Sequence, residues 1–150
     1  MAQKRKAVED LANSLEKKRS FLSVYRREDM AQISPFERHN PHSRLFTLNV
    51  IYASEKNGVN LQQVPRILRD YYHHIYADDI PDIRVPQARF AVHEKLGLDV
   101  EKGGVVVVRP DGHVACTVRL VEGSGTVDAL NGYISAFSTQ PLGQIPRGHL

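Results

Sequence analysis

Residues 103–122 read Gly-Gly-Val-Val-Val-Val-Arg-Pro-Asp-Gly-His-Val-Ala-Cys-Thr-Val-Arg-Leu-Val-Glu. Four consecutive β-branched residues, Val105 to Val108, have no polar face. Such a run predicts a strand covered on both sides. Arg109-Pro110-Asp111-Gly112 then predicts a tight turn. Proline presets φ, aspartate tolerates the next position, and glycine takes the left-handed conformation that closes a type I turn with a bulge. The return strand alternates, with Val114, Cys116, Val118 and Leu120 on one face and His113, Ala115, Thr117 and Arg119 on the other. The stretch is a β-hairpin with a central first strand and a more exposed second one.

Working outward, helical and extended patterns alternate. Ala7, Val8, Leu11, Ala12 and Leu15 recur at helical spacing and predict a helix over 4–22. Residues 26–43 are polar and irregular, with Ser34-Pro35 and Asn40-Pro41 as turn dipeptides. A strand follows over 44–53, with Leu48, Val50 and Ile51 facing the core. Pro65 opens a helix over 65–72, and residues 74–77 form a short strand before Asp78-Asp79. A further helix runs from about Pro86 to Leu96 and stops at Gly97. Thr126 is the expected N-cap of the last helix, which carries Val127, Leu130, Tyr133, Ile134 and Phe137. Gly132 weakens that helix by ~1 kcal/mol relative to alanine. Residues 139–150, rich in Pro and Gly, read as a flexible tail. This order predicts an α/β sandwich with a mixed sheet.

The chain has 150 residues, a net charge of +3 and a single cysteine. One domain is expected at this length. A lone cysteine excludes an internal disulfide and any Cys-x-x-Cys motif. No apolar run approaches a membrane span, and no secretory signal follows the basic N-terminus, so a cytoplasmic protein is expected. The mild positive charge predicts a solvated helix face more than an anionic partner.

Five stretches in order resemble the C-terminal dimerisation domain of phenol 2-monooxygenase (phenol hydroxylase) and related FAD-dependent aromatic hydroxylases. They are Ser20-Phe21-Leu22-Ser23, Leu45 to Ala53, Val64-Pro65 with Tyr76-Ala77-Asp78, His93-Glu94-Lys95-Leu96-Gly97-Leu98-Asp99, and the hairpin itself. The fourth is similar to the family's Tyr-x-x-Tyr-Gly-Ile-Asp approach to the hairpin. The match spans roughly residues 7–138. The resemblance implies a thioredoxin-like fold and a non-catalytic role in dimerisation, within residues 1–138. It also implies an opening strand ahead of the first helix, which is not found here, so the domain is expected to be N-terminally incomplete. The partner is expected to be a second copy or a full-length flavin monooxygenase, with neither nucleic acid nor membrane. FAD belongs to the parent family. No Gly-x-Gly-x-x-Gly occurs, and no cofactor is expected in this chain. An alternative is that the chain is a piece of a complete phenol hydroxylase, which hydroxylates aromatic rings with NADPH and oxygen.

No catalytic, cofactor-binding or metal residue is assigned from the sequence. Cys116 is the sole thiol and the basis of a peroxiredoxin-like alternative, but it lies mid-strand on the apolar face and not at a helix start, where the dipole lowers a thiol pKa. No proline directly precedes the valine run. His73 and His74, with Asp78 and Asp79, suggest a metal, yet neighbours on a strand point to opposite faces. Ser124, His113 and Asp111 lack a nucleophile elbow. Lys4-Arg5-Lys6 reads as a solvated helix start, without interleaved aromatics for nucleic-acid stacking. Tyr71, Tyr72 and Tyr76 suit either an interface or packing.

Overall fold

The computed structural model describes residues 2–28 and 33–138, so the expected tail at 139–150 lies outside the described residues. Nine regular elements follow the order α1 (Ala2–Leu15), α2 (Phe21–Val24), β1 (Val50–Tyr52), α3 (Arg66–Arg69), β2 (Ile75–Ala77), α4 (Ala91–Lys95), β3 (Gly104–Val108), β4 (Val114–Arg119) and α5 (Gly125–Ser135). The architecture is α/β, consistent with a thioredoxin-like arrangement.

The first predicted helix is two. The apolar stripe holds α1 together and buries Ala7, Ala12 and Leu15. Ser20 then ends it. Its hydroxyl donates to the Leu15 carbonyl and accepts from the Ser23 N–H, capping α2. A serine that satisfies backbone groups in a turn competes with continued helix. Asn131 of α5, itself 3% exposed, locks this corner from the other side. Its carbonyl accepts from Phe21 N–H at 2.9 Å and its amide donates to the Arg19 carbonyl at 3.3 Å.

The predicted strand over 44–53 shrinks to Val50–Tyr52, which pairs in parallel with β2 in the register Val50 to Ile75 and Tyr52 to Ala77. The Asp78 N–H donates to the Tyr52 carbonyl and adds one more bond to that ladder. The helix predicted over 65–72 is only Arg66–Arg69, followed by a 3₁₀ turn at Tyr72–His74. At the last helix, Ser124 occupies the cap position, and Thr126 is instead buried inside the first turn. Its hydroxyl donates to the Arg119 carbonyl and accepts from the Val121 N–H, so it ties β4 to α5.

The hairpin forms as expected at its turn. Gly112 has φ of 85°, and its N–H donates to the Arg109 carbonyl. The strands differ from expectation. The register runs Val107 to Cys116 and then Val108 to Val114, leaving Ala115 as the extra residue of a bulge. The strict alternation therefore breaks near the tip, where Val108 and Val114 are both exposed. Moreover, β3 is not covered on both sides. Among the described residues the two ladders form separate two-stranded sheets, so β3 has only β4 beside it. Val105, Val106 and Val107 are each half-buried.

One core joins the layers. Ala12, Leu15, Phe21, Leu22, Val64, Ile67, Leu68, Val127, Leu130 and Ile134 form its buried cluster. Val50, Tyr52 and Ile75 from one ladder, and Val105, Val107 and Val118 from the other, pack against it. Both sheets thus lay an apolar face on the same helical layer.

Candidate interaction surface

The chain between β2 and α4 is built around Asp78, whose side chain is 2% exposed. Its Oδ1 accepts from the Val92 N–H at 3.0 Å. Its Oδ2 accepts from the His93 N–H at 3.0 Å and lies 2.7 Å from His93 Nδ1. The carboxylate therefore caps α4 from thirteen positions upstream of its first residue. This moves the helix start to Ala91 from the predicted Pro86. Burial pushes the Asp78 carboxyl up, but the hydrogen bonds from the His93 ring and the two backbone N–H groups outweigh it and hold the group below its ordinary value.

The same clasp closes residues 78–92 into a compact loop. Asp82 ties the interior. It accepts from the Arg84 N–H and guanidinium and pairs with Lys95. Asp79 accepts from the Lys56 N–H at 2.7 Å, anchoring the loop to the turn after β1. The Val85 and Ala88 N–H groups donate to the Asp82 and Val85 carbonyls. The loop is thus ordered without a helix or strand of its own before Ala91, yet it holds Ile80 and Ile83 in water, 78% and 94% exposed.

The residues singled out from sequence do not assemble a reaction centre. Cys116 is half-buried on β4, less enclosed than a core thiol, and burial pushes its pKa up. That shift opposes thiolate formation, the reverse of what nucleophilic cysteines require. His73 and His74 lie in a 3₁₀ turn and not on a strand. His73 packs against Tyr72 at 4.1 Å between ring centroids, and His74 packs edge-on to His39 at 5.8 Å. Asp78 and Asp79 are engaged elsewhere, as described above. Among the described residues no group of three or more His, Cys, Asp or Glu side chains is placed to hold a metal ion. The Ser124 hydroxyl donates to Asp128, while His113 pairs with Asp111 within the hairpin turn.

The basic N-terminal run is absorbed within the chain. Arg5 pairs with Glu9, Lys6 with Asp10, and Lys4 donates to the Val100 carbonyl. The tyrosines separate. Tyr71 is fully buried, whereas Tyr72 and Tyr76 are 56% and 46% exposed. Burial pushes the Tyr71 phenol up to about 12, and the His42 backbone offsets this only in part. A groove of about 400 Å³ lined by Arg5, Glu9, Asn13, Gln62 and Arg66 lies beside α1. No helix of the described residues is long and apolar enough to cross a membrane.

The Asp78–His93 clasp was not visible in the sequence as a pair. Asp78-Asp79 with Pro81 reads locally as an acidic turn, and nothing near it marks a helix start thirteen residues on, at Ala91.

What the chain offers, then, is an exposed apolar loop on a hydrogen-bonded frame and a half-buried thiol. The family model for the phenol hydroxylase C-terminal dimerisation domain matches residues 1–142. The chain belongs to this family. The dimerisation domain thereby accounts for most of the sequence, including every element described above.

Proposed function

We propose that this dimerisation domain acts as a non-catalytic self-association module. The observation that carries this proposal is the family match over nearly the whole chain. The exposed apolar loop supports it, because a folded chain that holds Ile80 and Ile83 in water gains by covering them. The raised Cys116 pKa supports a scaffold in place of thiol chemistry. In this proposal the chain holds no flavin, and its partner is a second copy. Size-exclusion chromatography with light scattering across a concentration series tests it. A dimer that dissociates on dilution is expected; a monomer throughout the series refutes it.

A second proposal is that the domain pairs with the equivalent domain of a full-length flavin monooxygenase, an arrangement the same family match favours. Mixing the chain with such an enzyme and resolving the species by mass tests this. A mixed species is expected, and two unchanged peaks refute it.

A further inference from the structure

We propose that the loop clasped by Asp78 is the surface through which two copies of this chain pair about a two-fold axis. The inference rests on self-association and names the face that performs it.

Three observations converge on this loop. It is preorganised: Asp78 fixes its base on Val92 and His93, Asp82 fixes its interior, and Asp79 fixes its flank on Lys56. A surface already ordered in the free chain loses little conformational freedom when it binds. It is apolar where it meets water, at Ile80, Ile83 and Val92. Its charges are also self-complementary. Asp82 is neutralised within the loop by Arg84 and Lys95. By contrast, neither Asp79 nor Arg89 makes an ion pair in the described structure, and Arg89 is held over the Phe90 ring at 5.1 Å.

An isologous interface brings residue i of one copy to residue j of the other, and j to i. One unpaired anion and one unpaired cation on the same loop satisfy that requirement, with Asp79 of each copy opposite Arg89 of the other. A strongly acidic or strongly basic partner would leave one of the two facing its own sign. A second copy leaves neither.

The test uses the full chain and sedimentation equilibrium. Ile83→Asp places a charge at a site with almost no contacts in the monomer, so the fold is retained. A two-fold axis counts the change twice, and at about tenfold per copy the dimer weakens about a hundredfold. Arg89→Asp sets two anions against each other and weakens it about tenfold, and adding Asp79→Asn in the same chain, which keeps an acceptor for the Lys56 N–H while removing the repulsion, restores part of that loss. Phe36→Ser removes a side chain 87% exposed in a different loop and leaves the dimer unchanged. A wild-type dimer that ignores both Ile83→Asp and Arg89→Asp overturns this surface while leaving self-association standing. A wild-type chain that is monomeric removes self-association, and this surface with it.

Discussion

Replacing Asp78 with alanine removes the acceptor for three donors at once: the Val92 N–H, the His93 N–H and the His93 ring. Loss of a helix N-cap alone costs about 1 kcal/mol. Each buried donor left without a partner costs about 1–3 kcal/mol, although a loop that relaxes admits water to some of them. The expected destabilisation is therefore about 2–4 kcal/mol, a large part of the roughly 5–15 kcal/mol that holds a domain folded. For a chain of this size that is a fall in Tm of about 6–12 °C, measured by circular dichroism at neutral pH. Hydrogen exchange adds a local readout, since the Val92 and His93 amides should lose protection before the rest of the chain. The sign of the pH effect also follows. The Asp78 carboxyl is held below its ordinary value of 3.8, so its contribution is fully present above that value. It is lost as pH falls through the lowered one. Acid titration of stability should accordingly be flatter in the variant below pH ~4. A Tm within about 2 °C of wild type, with unchanged protection at Val92 and His93, would refute the clasp.

Asn131→Ala strips the corner between α2 and α5 of both its hydrogen bonds and leaves the Phe21 N–H buried without an acceptor. A loss of about 2–3 kcal/mol is expected from urea midpoints, and a loss under about 0.5 kcal/mol would show that the corner packs without it. Tyr71→Phe removes a buried hydroxyl that lies near the His42 backbone but makes no well-formed hydrogen bond among the described residues. Stability should stay within about 0.5 kcal/mol or rise, and a loss above about 1 kcal/mol would reveal a partner. Native Cys116 should react with iodoacetamide more slowly at neutral pH than the same thiol in urea, because burial raises its pKa. Equal rates would contradict that environment.

The sequence was legible where local chemistry and tertiary packing agree. The Arg109–Gly112 turn, the apolar stripe of α1 and the spacing of Val127, Leu130 and Ile134 all form as their residues suggest. It misled where a side chain serves the backbone at a distance. Ser20 splits a helix whose periodicity continues, Thr126 bonds across to β4 instead of capping its own helix, and Asp78 starts α4 from thirteen residues away. The valine run misled for another reason. Its composition suits burial on both faces, but composition does not state how many strands lie beside it. The candidate surface was only partly legible: Asp78-Asp79 read as an acidic turn, whereas Pro86 read as a helix start in a stretch that stays a loop until Ala91.

Strand β3 has a consequence for handling the protein. Val105–Val107 are half-buried and present backbone groups that no neighbouring strand in the described residues occupies. An uncharged β-branched edge of this kind is a template for cross-β growth. The flanks carry the usual deterrents: Glu101 and Lys102 precede the run, and Arg109 and Pro110 follow it. Fibril formation, followed by thioflavin fluorescence during slow heating, should therefore start from this segment, and should quicken when Arg109 and Pro110 are replaced by neutral strand formers.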